Sequence, residues 1–104
     1  MIAADRCFGI EGAAIEGLSR SLASELSPQG VRVICIRPAG SPESFVDELG
    51  QTREEMTAMI SKETLMKRAP SLAEVGNVAV LMASDYASPM TATVANMTCG
   101  SIVD

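Results

Sequence analysis

The chain has 104 residues, 47% of them hydrophobic and 20% charged, with a net charge of −5 at pH 7, a balance that belongs to a folded domain rather than a disordered segment. Eight Lys and Arg against thirteen Asp and Glu, with no basic cluster, exclude the electrostatic footprint of a nucleic-acid binder. No run of about 20 apolar residues offers a membrane span, the first residues carry no signal-peptide core, and Cys7, Cys35 and Cys99, without a single His, suggest neither a disulfide framework nor a zinc site. Cytoplasm is the expected compartment, and neither nucleic acid nor membrane is an expected partner.

In chain order, Ile10, Ala14, Ile15, Leu18, Leu22 and Leu26 recur at spacings of three and four, which predicts a helix over residues 9–26 with these side chains on one face. Ser27-Pro28-Gln29-Gly30 ends it. The β-branched run Val31 to Ile36 predicts a strand covered on both faces, as in parallel sheets, and Arg37-Pro38-Ala39-Gly40-Ser41-Pro42 predicts a loop at its C-terminal end. Glu43 to Lys67 is the most polar part and predicts one or two amphipathic helices. Ser71-Leu72-Ala73-Glu74 is a capping box, opening a second strong helix that ends near Ser84-Asp85. Thr91 to Thr98 alternates as a second strand, closed by Gly100. The order is half of an open α/β sheet, expected as about two strands with three to four helices in one truncated Rossmann-like domain over residues 1–104.

The stretch Gly12-Ala13-Ala14-Ile15-Glu16-Gly17-Leu18-Ser19-Arg20 through Pro28-Gln29-Gly30-Val31-Arg32-Val33 resembles the helix-and-strand signature of the short-chain dehydrogenase/reductase family. Lys67-Arg68, Ser71 to Val75, Val80 to Asp85 and Met90-Thr91 are similar to that family's last helix and the lead-in to its last strand, so the resemblance runs from about Phe8 to Gly100. It implies the C-terminal portion of a doubly wound parallel sheet from an NAD(P)-dependent oxidoreductase family. It also implies a Tyr that exchanges a proton with substrate and, four residues on, a Lys that lowers the Tyr pKa and holds the cofactor ribose. Phe8 and Gly12 stand at those two positions, and neither carries the required atoms. The family's catalytic Ser would fall upstream of Met1, and its glycine-rich pyrophosphate turn lies earlier still. Its second-strand Asn is Ile34 here, and its Pro-Gly becomes Pro38-Ala39-Gly40.

No catalytic residue and no metal site is therefore expected, and the loop Pro38, Ala39, Gly40 and Ser41 reads as a vestige of the cofactor-facing segment. Glu43 and Ser44, near the family's cofactor-contacting Thr, fit an ordinary solvated loop better than a ligand cleft. Cys35 and Cys99 read as small buried hydrophobes. Met56, Met59 and Met66 read as gap fillers before an adaptable surface. Whether the chain is an enzyme stays open: it is expected to be inactive on its own and to bind no cofactor, and the alternatives are a non-catalytic oligomerisation module or one piece of a split or truncated oxidoreductase. With no earlier strand expected beside Val31 to Ile36, that strand should seek a partner chain, giving a homodimer or larger with a four-stranded shared sheet, the rival geometry being the contact through the last strand and last helix that the resemblance implies.

Overall fold

The computed structural model describes residues 2–4, 10–39 and 52–104. Three parallel strands form one sheet in the order β1-β2-β3, namely β1 (Ile2–Ala4), β2 (Ile34–Pro38) and β3 (Thr93–Met97). Helix α1 (Ile10–Leu26) crosses from β1 to β2, while α2 (Arg53–Glu63) and α3 (Leu72–Ala83) lie between β2 and β3. The fold is α/β and Rossmann-like. A short third strand joins the two expected, because Ile2, Ala3 and Ala4 pair in register with Ile34, Cys35 and Ile36. Three residues are too short for the alternation that marks a strand in sequence, so only the sheet reveals β1.

β2 also starts later than the apolar run and continues into Arg37-Pro38, which the sequence had pointed to as loop. Its bounds follow its neighbours: Ile34 stands opposite Thr93, whereas Val31 N–H donates to the Leu26 carbonyl at 3.3 Å and Val33 N–H to Thr91 Oγ1 at 3.1 Å. Pro38 is tolerated because it is the last paired residue, where a missing N–H breaks nothing further along the ladder. The expected burial of the strand on both faces is present: Val33, Ile34, Cys35 and Ile36 are all buried.

Side chains alternate along these strands. Arg37 bonds to Glu16 of α1, while Arg32 reaches the carbonyls of Met82 and Ser84 at the end of α3. Odd residues of β2 therefore face α1 and even ones face α3, so the two helices cover opposite faces of the sheet. Since the strands advance in one direction, the two crossovers have opposite hands, and one departs from the usual right-handed rule.

The buried face of α1 is Gly12, Ser19 and Ala23, flanked by half-buried Ile15, Leu22 and Leu26, and not the face centred on Leu18, which is 60% exposed. Small side chains let the helix approach the sheet closely, and the Ser19 hydroxyl is satisfied by donating to the Ile15 carbonyl at 2.8 Å. The helix ends as its sequence signals, in a 3₁₀ turn over Ser27–Gln29 closed by Gly30 at φ 84°. Both later helices open with complete capping boxes, Ser71 with Glu74 as expected and Thr52 with Glu55 in addition.

Candidate functional site

In open α/β sheets ligands bind outside the carboxyl ends of the strands, and here that end is formed by Arg37-Pro38 of β2, the following Ala39, and Asn96-Met97 of β3. Pro38 and Ala39 are half-buried at this edge. Phe8, Gly40, Ser41, Glu43 and Ser44 lie outside the described residues. Gly12 is described: it sits in the first turn of α1, buried, with no side chain to offer.

The polar group that the fold does assemble here was not singled out in the sequence. Glu16 stands one helical turn after Gly12, and its Oε1 accepts from Arg37 Nε at 2.8 Å and Nη2 at 2.5 Å. Arg37 Nη1 donates to Asp104 Oδ1 at 2.6 Å. Hydrogen bonding to Asp104, aided by Glu16 and opposed by partial burial, pushes the Arg37 guanidinium above its ordinary value, and the same bond holds the Asp104 carboxyl below its own. Asp104 arrives because the chain after β3 folds back on itself. Asn96 Nδ2 donates to the Ile102 carbonyl at 2.8 Å, and Asn96 Oδ1 accepts from the Thr98 hydroxyl at 2.7 Å. The signal that could have found this cluster is the charge of Arg37 at the end of an apolar strand, where only a carboxylate partner makes burial tolerable.

On the other face, α3 and β3 enclose an open groove of about 600 Å³ lined by Leu65, Val75, Val78, Met82, Ala95 and Met97 among others. Arg68 and Glu74 stand at its rim as a bidentate pair, 2.7 and 2.8 Å. That fork, together with the Ser71 N–H, holds the Glu74 carboxyl down to about 2. The methionines divide: Met56 is buried as a gap filler, whereas Met59 and Met66 are 46% and 59% exposed. Cys35 is fully buried, as expected, but Cys99 is only half-buried and takes φ 54°. Among the described residues no group of three or more His, Cys, Asp or Glu could hold a metal ion.

Comparison with known proteins agrees with this geometry. The family model described as enoyl-(acyl carrier protein) reductase matches residues 2–101. The chain belongs to the short-chain dehydrogenase/reductase family. Tropinone reductase-like 3 of Erythroxylum coca is 32% identical over 84 residues, covering 81% of this chain and 32% of the relative. Sorbitol-6-phosphate 2-dehydrogenase of Erwinia amylovora superposes with a TM-score of 0.76 at 24% identity, over 99% of this chain and 48% of that one. L-sorbose reductase of Gluconobacter frateurii, solved with NADPH and L-sorbose, gives 0.78 at 18% identity, over 99% of this chain and 47% of that one. These two share the fold. The chain spans about a third of the length of the curated relatives it matches.

A dinucleotide held in the manner the family resemblance implies needs a hydroxyl at position 8 and an ammonium at position 12. The sequence supplies Phe8 and a buried Gly12. Neither residue carries those atoms. Among the described residues no helix is long and apolar enough to cross a membrane.

Proposed function

We propose that this chain is a short-chain dehydrogenase/reductase-like module that does not by itself bind NAD(P) or transfer hydride. One observation carries the reading: the position that would need the ribose-binding ammonium is Gly12, a buried residue in the first turn of α1 with no side chain to supply it. With Phe8 in the Tyr position, proton exchange with a substrate oxygen has no group to perform it. Restoring both residues meets a second obstacle in this fold, since Lys in place of a buried glycine brings a charge into a shielded position. Calorimetric titration of the full chain with NADH and with NADPH tests the reading. No heat of binding is expected up to millimolar cofactor, and a micromolar dissociation constant overturns it. Phe8→Tyr with Gly12→Lys is expected to lower stability and still give no cofactor-dependent turnover.

An interaction role is the second reading, supported by the surface of α3, which exposes Leu72, Val80 and Leu81, and by Tyr86 just beyond it at 91%. So much large apolar surface on one short helix fits an interface. The described strands also leave one edge of β1 and one of β3 without a partner. We infer that the chain assembles as a homodimer or larger, or joins further chain that extends the sheet past β1. The cytoplasm fits the described cysteines, Cys35 and Cys99, neither of which is in a disulfide.

A further inference from the structure

We propose that Arg37 is an oxyanion-binding residue at the carboxyl end of the sheet and that the Asp104 carboxylate is its resident occupant, displaceable by a carboxylate or phosphate ligand. The two carboxylates on Arg37 are unequal. Glu16 takes the Nε and Nη2 donors, and both side chains are largely shielded, 15% and 12% exposed, so this pair is a fixed part of the α1 to β2 packing. Asp104 takes one donor, Nη1, and its side chain is 54% exposed. An exposed single-point ion pair is weak and is screened by salt. The outward edge of the guanidinium is thus aimed by Glu16 and closed by a half-exposed carboxylate, which Asn96 and the charge of Arg20 also help to hold.

Three further observations support an oxyanion there. A carboxylate already fills the position, so its geometry suits one. A guanidinium presents five N–H donors in a planar fork matched to carboxylate and phosphate, of which the two pairs described use three. The position is also the ligand end of the sheet, with Pro38-Ala39 directly following. The segment bearing Asp104 is anchored upstream through Asn96, Thr98 and Ile102, so the Asp104 side chain can leave Arg37 while the turn before it stays in place. The inference stands apart from the absence of dinucleotide binding, since it requires neither a ribose nor a nicotinamide contact.

Titrating the full chain with inorganic phosphate, and separately with acetate, tests it, with the Arg37 Nε–H resonance followed by NMR alongside calorimetry. Asp104→Asn is expected to bind phosphate about fivefold more tightly than the unmodified chain, the factor an exposed ion pair represents. Saturation should move the Arg37 resonance, and Arg37→Gln should abolish binding. Whichever of phosphate or acetate binds more tightly in Asp104→Asn identifies the preferred class. Equal affinity of Asp104→Asn and the unmodified chain, or a saturating phosphate signal that leaves the Arg37 resonance in place, overturns the proposal. If Arg37→Gln fails to fold by circular dichroism, the Asp104→Asn comparison decides alone, because it leaves Arg37 and Glu16 untouched.

Discussion

Ala92 and Cys99 hold backbone φ angles of 57° and 54°, in the left-handed region where a side chain costs about 1–2 kcal/mol. Tertiary hydrogen bonds keep them there: Ala92 N–H donates to the Val33 carbonyl at 2.9 Å, and the Cys99 carbonyl accepts from Met66 N–H at 3.0 Å. Replacing either by Gly relieves the strain and adds unfolded-state freedom worth roughly 0.5–1 kcal/mol. Ala92→Gly and Cys99→Gly should each stabilise by about 0.5–1 kcal/mol, a rise of a few degrees in a thermal melt. Gly100 is the opposite case. At φ 86°, a Cβ there would lie 2.6 Å from Leu65 Cβ, so Gly100→Ala should lose about 1–3 kcal/mol through strain and overpacking together. Melts that leave all three variants unchanged would mean that this backbone is not under the stated strain.

At the scale of elements, α3 carries no basic residue in its last turn, and its C-terminal carbonyls are met instead by Arg32, two residues before β2. Arg32 donates to Met82 at 2.8 Å, Ser84 at 3.1 Å and Met90 at 3.3 Å, joining the helix, its cap and the loop that leads to β3. Truncating a charged donor that serves several half-buried carbonyls should cost about 2–3 kcal/mol, and Arg32→Lys should recover only part of it because one ammonium cannot span the three. Chemical denaturation measures both. The opposite end of α3 gives a pH dependence. Glu74 is held at about 2 in the folded chain against an ordinary 4.5, so its contribution is complete above about pH 5 and is lost as pH falls from 4.5 towards 2. Asp104, also lowered by Arg37, acts in the same direction below its ordinary 3.8. Glu74→Gln should flatten the acid limb of the stability curve, and an unchanged limb would remove the Arg68 fork as its cause.

For the whole molecule, β1 changes the expected route to assembly. The reading in which β2 is an uncovered edge does not survive, because β2 is central in the sheet and Ile34 is 1% exposed. Ile34→Lys should therefore unfold the chain outright, through a buried unpaired charge, instead of releasing a monomer. The surface to probe is α3, where Val80 is 71% exposed. The chain should scatter light as a dimer or larger at micromolar concentration, and Val80→Lys should shift it towards monomer with its circular dichroism spectrum intact. A stable, folded monomer of 10.9 kDa would show that this apolar face is simply solvated.

Periodicity and punctuation determined much of this without coordinates. The spacing of Ile15, Leu22 and Leu26 gave a helix, Pro28 to Gly30 ended it, Ser71 with Glu74 began another, and the unbroken run around Ile34 implied a strand buried on both sides, because each signal rests on interactions within a few residues. Length and identity at Phe8 and Gly12 likewise needed no structure. Tertiary structure decided what depends on distant partners. Ile2 to Ala4 became a strand only by pairing with β2, α1 turned Gly12, Ser19 and Ala23 inward because small residues let a helix sit close to the sheet, and Arg37 found Glu16 and Asp104 across 21 and 67 residues of chain. Local sequence encodes which conformation a segment favours; it does not encode which of several acceptable neighbours will satisfy a charge or close an edge, and that choice is made when the sheet packs.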